Sequence, residues 1–264
     1  MLNNSHKGCT GHPSTRRCSD RHGPAVEGAS YAPPVGTDWD AVVPADARRR
    51  APGGTTAAQT AAVLRDLALG GRLRPGDQLP EQALGAALGV SRNTLREAFR
   101  LVCEEGLAVH EPHRGVFVRR LRGPGLEDLW RQREVLECGA LAAAADGPPP
   151  APSALAAVAG AHDRLRGSAS RDDWAGVGTA NMDLHAALAG LAGSARTDEA
   201  VRRLLAEVRL VFVASPEPRA VHEPWVPANA RLAALVAELR LAEAVAVLRD
   251  YLRASGRAAV AAAA

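Results

Sequence analysis

Residues 84–100 read LGAALGVSRNTLREAFR, the pattern of two helices meeting at a glycine. Leu84, Ala87 and Leu88 supply the buried side of the first helix. Gly89 suits the left-handed backbone that closes a helix. Ser91 is an N-cap whose hydroxyl accepts from a free backbone N–H of the next turn. From there Leu95, Ala98, Phe99 and Val102 recur at i, i+3, i+4 and i+7, the stripe of one buried helix face. Arg92, Arg96 and Arg100 follow one another four residues apart on a different face. An apolar stripe turned inward and arginines turned outward suit a short helix to the DNA major groove. The plainer alternative is a helical hairpin whose arginines are merely solvated.

The following segment, AVHEPHRGVFVRRL at 108–121, reads as a β-hairpin. Val109 and Glu111 alternate before the turn, and Val116 and Val118 after it. Pro112-His113-Arg114-Gly115 between them is rich in turn formers. A hairpin behind such a helix is a wing. Its cationic tip can enter the adjacent minor groove, where negative potential favours Arg and His.

The chain has 264 residues, which suits two small domains better than one. Hydrophobic residues make up 47%, much of it alanine, and three Phe, two Tyr and four Trp leave few large anchors. Positive charge is local. Residues 72–122 hold nine Arg against six acidic residues, whereas 123–264 hold fifteen Arg against seventeen. Only the first of these parts is therefore expected to meet phosphate. Lys7 is the single lysine; arginine, whose planar fork suits guanine and phosphate, carries the rest.

No stretch reaches the roughly 18 apolar residues of a membrane-crossing helix. The first residues lack the apolar run of a secretory signal, so a cytoplasmic protein without membrane contact is expected. Cys103 and Cys138 sit within helical patterns and are expected as free thiols filling small core positions.

Residues 1–55 show no periodicity and are dense in Gly, Pro, Ser, Thr, Arg and His, which predicts disorder. Cys9, His12, Cys18 and His22 match no familiar zinc spacing and have no apolar neighbours to fold around an ion. From Leu126 onward the pattern is helical. Helices are predicted near 126–145, 153–167, 171–191, 196–214, 227–239 and 241–253, broken by Gly147-Pro148-Pro149-Pro150 and Ser215-Pro216-Glu217-Pro218. The alanines after Arg257 are expected to fray. The fold class expected is mainly α. A winged helix-turn-helix at 56–121 is followed by an all-α antiparallel bundle at 126–255 and a frayed tail at 256–264.

With the upstream run LRDLALGGRLRPGDQLPEQALGAALGVSRNTLREAF, then EEGL and HRGVFV, residues 57–121 resemble the winged helix-turn-helix of GntR-family transcription regulators. The resemblance places groove-reading positions on Arg92 and Arg96, with Asn93 and Thr94 beside them. It places the wing contact at His113, Arg114 and Gly115. Many members carry an arginine at the start of the second helix; this chain has Gln82. The phrases RQREVLECGALAAA (131–144), NMDLHAALAGLAGS (181–194) and LAALVAELRLAEAVAVLRDYL (232–252) resemble, more loosely, the FCD ligand-binding domain that follows such wings. That likeness implies a bundle pocket for a small carboxylic acid, often beside a divalent metal held by one Asp and three His.

Here those metal positions fall on Asn181, His185, Asn229 and Tyr251. Asp183 is two residues from His185 and points to another face. One imidazole, two amides and a phenol are a poor site for Zn²⁺ or Ni²⁺, so no metal is expected. The same four side chains would still line a polar spot in an apolar bundle. Arg133 maps to an arginine the family uses near effector carboxylates, and Arg209 can face the same pocket. Alternatively, Arg133 pairs with Glu134 or Glu137 at the surface or makes a dimer contact. His222 follows the proline-rich break, with no spacing that joins it to the others.

The expected function is a homodimeric regulator of a double-stranded DNA operator with inverted repeats, modulated by a small carboxylate-type effector. The alternative is a DNA-binding protein whose C-terminal domain only dimerises. An enzyme acting on a small organic acid is disfavoured, since no nucleophile–base pair, phosphate loop or intact metal set is visible.

Overall fold

A computed structural model describes residues 38–43, 57–213 and 215–263. Cys9, His12, Cys18, His22 and most of the stretch expected to be disordered lie outside the described residues. One piece of that stretch is ordered. Trp39–Val42 forms a helical turn, and Val43 is fully buried in the first core. Trp39, Val42 and Val43 are a local apolar run, and burying them offsets the cost of fixing the backbone.

Helix α1 (Ala57–Leu69) supports the paired helices α2 (Glu81–Leu88) and α3 (Arg92–Glu104). Gly89 closes α2 at φ 68°, in the left-handed region, and Ser91 opens α3 by accepting from the Thr94 amide at 3.1 Å. Leu95, Ala98, Phe99 and Val102 are all buried, as their spacing predicts. The wing pairs β1 (Ala108–Glu111) with β2 (Gly115–Val118) antiparallel, Ala108 opposite Val118 and Glu111 opposite Gly115. A further segment lines the free edge of β2, where the Leu79 amide donates to the Val116 carbonyl and the Val118 amide to the Asp77 carbonyl, each at 2.8 Å. The edge is thus covered and the wing held to the helices.

Among its described residues the second domain has helices and loops and no strand. Its helices are α4 (Gly123–Arg133), α5 (Gly139–Asp146), α6 (Pro152–Ser170), α7 (Trp174–Gly190), α8 (Ala195–Val213), α9 (Pro218–His222), α10 (Val226–Ala237) and α11 (Leu241–Ala263). Helices α4 and α5 are continuous through a π-helical segment, Glu134–Cys138. Val135 stands 66% exposed, while Glu137 is fully buried. Two features differ from the expected pattern. The proline-rich break opens a short helix, α9, with Pro218 in its first turn, where a missing N–H costs nothing. The last helix extends through Ala263, beyond Arg257. Ala259 and Val260 pack against the cluster that holds Leu126 and Trp130, continuing contacts begun at Ser255 and Gly256. Trp130 Nε1 donates to Ser255 Oγ at 3.0 Å, and a Cβ at Gly256 would come within 2.6 Å of the Trp130 ring, so α11 lies directly on that indole.

The two domains share packing. Leu210 and Ala206 of α8 belong to the core of the winged domain, beside Leu64, Leu73 and Phe99. Glu207 of α8 lies over Gly106, whose φ of 79° and lack of a side chain permit that approach just beyond α3. Burial raises the Glu207 carboxyl above its usual range, opposed by Arg119, whose Nε is 3.8 Å away.

Candidate nucleic-acid interface and polar cluster

The exposed face of α3 carries the predicted groove readers. Arg92, Asn93 and Arg96 are exposed and Thr94 half-exposed, its hydroxyl 2.8 Å from that of Ser91. Arg96 donates from Nε to both carboxylate oxygens of Glu81, at 3.0 and 3.1 Å, with 64% of its side chain still in solvent. An exposed pair of this kind contributes at most about 1 kcal/mol, so a phosphate or guanine can take Glu81's place. Arg100 is held between Glu97 and Glu104 and is less free to leave. Gln82 is exposed at the first turn of α2.

At the wing tip His113 is exposed with φ 63°. Arg114 pairs with Glu111 and lies 5.2 Å from the centre of the Phe117 ring. Its carbonyl accepts from Gln78 Nε2 at 2.8 Å. Gln78 and Glu81 are contributors that the sequence pattern does not single out. Gln78 precedes the helix pair in a run of turn residues and Glu81 opens α2, and only tertiary contact brings them to the tip and to Arg96.

In the helical domain the structure brings Arg133, Asn181, His185, Asn229 and Tyr251 into one buried cluster, and it adds Glu137. Arg133 Nε donates to Glu137 Oε1 at 2.7 Å, and His185 Nδ1 lies 2.6 Å from Glu137 Oε2, all three side chains being at most 1% exposed. Arg133 therefore pairs with Glu137 inside the bundle, not at the surface; Glu134 goes instead to Arg253 at 2.6 Å. Burial alone would push the Glu137 carboxyl up, but Arg133 and His185 outweigh it and hold the group at about 2. Burial keeps the His185 ring below its ordinary value and so neutral, against the pull of Glu137. A neutral ring donating from Nδ1 leaves Nε2 as an acceptor.

On the other side of His185, Asn229 donates to Asn181 Oδ1 at 2.7 Å, and Asn181 donates to the Tyr251 hydroxyl at 3.3 Å. The Tyr251 ring lies 4.9 Å from that of His185. Burial pushes the phenol up, so it stays protonated. Arg133 Nη2, His185 Nε2 and Asn229 Oδ1 are buried without a protein partner.

The divalent metal implied by the resemblance does not fit this set. The Asn181 oxygen is engaged by Asn229, the phenol keeps its proton, and His185 alone offers a borderline-soft donor. Among the described residues no three His, Cys, Asp or Glu converge. Asp183 is turned outward, 3.0 Å from Arg164.

Arg209 contacts α7 at Ala175 and Gly178, the latter three residues before Asn181 in sequence. Its Nη2 lies 3.4 Å from the Ala175 carbonyl on α7. Beside it His222 is buried, 4% exposed, with its ring edge-on to Phe212 at 5.2 Å. Burial, helped by the Arg209 charge, lowers His222 to about 4.

Comparison with known proteins agrees with both halves. Residues 56–118 match the profile described as bacterial regulatory proteins, gntR family, and residues 128–254 match the FCD domain. The chain is 36% identical to a crystal structure from Rhodococcus sp. RHA1, described as a GntR transcriptional regulator. That match covers 78% of this chain and 98% of the other, with a TM-score of 0.72. It is 40% identical over 78 residues to an uncharacterized HTH-type transcriptional regulator in an unstable DNA locus of Streptomyces ambofaciens. It is 37% identical over 75 residues to the Nta operon transcriptional regulator of Aminobacter aminovorans. These two matches cover 30% and 28% of this chain, and only 33% and 36% of the relatives' own lengths. The chain belongs to the GntR family of bacterial regulatory proteins, in its FCD-containing form. Among the described residues no helix is long and apolar enough to cross a membrane.

Proposed function

We propose that the protein is a sequence-specific transcription regulator that acts as a homodimer on an inverted-repeat DNA operator. One observation carries this. On a helix whose cap and apolar face are already satisfied, Arg92 and Arg96 project into solvent beside a wing bearing His113 and Arg114. Two such helices related by a twofold axis meet half-sites about one turn of duplex, roughly 10 bp, apart. Arg92 and Arg96 read base edges, Asn93, Thr94 and Gln82 support that contact, and His113, Arg114 and Gly115 track the neighbouring minor groove. Selection of bound duplexes from a random pool tests the proposal. An enriched inverted repeat supports it, and a pool without a shared motif contradicts it.

The FCD domain holds a small-molecule effector at the cluster of Arg133, Asn181, His185, Asn229, Tyr251 and Arg209. Three buried polar atoms without protein partners support this, since such atoms ordinarily have a partner. The mutual pairing of Asn181, Asn229 and Tyr251 favours a second reading, in which the domain only dimerises. Thermal shift of the full chain against small acids and their amides separates the two: stabilisation by any compound supports an effector site, and none supports dimerisation alone. No reaction is assigned to the cluster. His185 is neutral and held by Glu137, an arrangement suited to binding.

A further inference from the structure

We propose that Gln78 and Glu81 are positioning residues for DNA recognition, the first holding the wing tip and the second aiming Arg96 at its base. The inference rests on the reading of α3 and the wing as DNA-contacting elements, and adds two residues that act through them. Both side chains come from one short stretch, Gln78-Leu79-Pro80-Glu81. Leu79 is buried, and the Pro80 ring fixes φ, here −72°, just before α2 opens at Glu81. The stretch is tied to the wing by its backbone, the Leu79 amide donating to the Val116 carbonyl and Gln78 bridging to Phe117. It is tied to α3 through α2, since Leu84 and Leu95 are both fully buried in the same core. One rigid segment therefore reaches both elements that face DNA.

Arg96 is long and 64% in solvent, and a side chain of that kind loses rotamer freedom when it is fixed on a ligand. Glu81 removes part of that freedom in advance. Arg96 Nε donates to Glu81 Oε1 at 3.1 Å and to Oε2 at 3.0 Å. Because the bond is made by Nε, Nη1 and Nη2 remain for the O6 and N7 acceptors of a guanine edge. Glu81 is the first residue of α2, where the helix dipole favours a carboxylate. At the wing, Gln78 Nε2 donates to the Arg114 carbonyl at 2.8 Å, and a Cβ at Gly115 would lie 3.4 Å from that nitrogen. The amide thus lies against the turn, next to His113, whose φ of 63° is uncommon for a residue with a side chain. Gln78 holds that turn in the form that presents His113 and Arg114.

The test is equilibrium binding of the full chain to the operator enriched from a random pool and to a scrambled duplex, over a range of salt. Glu81→Ala is expected to weaken operator binding about three- to tenfold, the cost of ordering one long side chain at an interface, and to leave the scrambled duplex unchanged or slightly tighter. A merely structural loss would weaken both duplexes together. In the Arg96→Ala background the same substitution is expected no longer to weaken operator binding. Glu81→Gln, which keeps one acceptor for Nε, is expected to recover part of the loss. Gln78→Ala is expected to lower the slope of log K against log salt by up to about 1 while keeping the base preference under α3. Both side chains are partly in solvent, so the thermal midpoints of these variants are expected to stay near wild type. If Glu81→Ala tightens both duplexes alike, Glu81 competes with DNA for Arg96 and the proposal is overturned. Wild-type operator affinity in Glu81→Ala, a loss that persists without Arg96, or a wild-type salt slope in Gln78→Ala overturns it as well. If Arg96→Ala itself binds the operator like wild type, groove reading by α3 falls and the proposal with it. If Arg96→Ala loses the operator and Glu81→Ala does not, the positioning role alone falls.

Discussion

At the scale of single residues, the central tension of the helical domain is a buried charge group with little slack. Glu137 neutralises Arg133 and orients His185 with the same carboxylate. Glu137→Gln leaves the Arg133 guanidinium buried and unmatched, and is expected to cost about 3–5 kcal/mol of stability in urea denaturation. An unchanged midpoint contradicts the described pairing. The acid limb of stability separates into two ranges. His222 has its folded value lowered to about 4, so the unfolded chain binds the extra proton as pH falls below about 6.5. Stability from that site is present above the unfolded value and is lost as pH falls toward 4, with a slope of up to about 1.4 kcal/mol per pH unit. Glu137, lowered to about 2, acts in the same direction further down, its contribution fading as pH falls from the ordinary carboxyl range toward 2. His185, also lowered by burial, contributes to the upper range as well, so His222→Gln is expected to reduce the slope there without abolishing it and to leave the lower range; an unaltered pH–stability curve contradicts the burial of the His222 ring.

At the scale of elements, α8 belongs to both domains. Leu210 is 2% exposed within the winged core, and Arg209, its neighbour, faces α7 and α9. Through Leu210 and Ala206, α8 packs against α1 of the winged domain. Leu210→Ala is expected to cost about 2–5 kcal/mol and to separate the unfolding of the winged domain from that of the bundle in calorimetry. A single transition at the wild-type temperature contradicts this coupling. The elements also show what a sequence can reveal. The paired helices and the wing are legible because their determinants are local: Gly89, Ser91, the stripe from Leu95 to Val102, and the turn formers at 112–115. Asn181, His185, Asn229 and Tyr251 are legible as a group only through the family resemblance. Glu137 is not, because an acidic residue flanked by Glu134 and Arg133 reads as solvated, and the π-helical segment gives no composition cue. His222 is hidden for a related reason. It ends a five-residue helix behind Pro216 and Pro218, and its burial depends on Gly178, distant in sequence, and on Phe212 across that break.

For the whole molecule, charge and architecture divide the work. The arginine surplus lies in the winged segment, while the helical half is slightly acidic. DNA affinity should therefore fall steeply with salt, and Arg114→Ala should reduce the slope of log K against log salt by about 1 with little effect on sequence preference. A slope unchanged by that substitution places the wing away from phosphate. The most direct test of the account is equilibrium binding of wild type, Arg92→Ala and Arg96→Ala to the selected operator and to a scrambled duplex at one fixed salt concentration. Each variant is expected to lose about 1–3 kcal/mol on the operator and much less on the scrambled duplex. If both variants bind the operator with wild-type affinity, α3 does not read the groove and the account is contradicted.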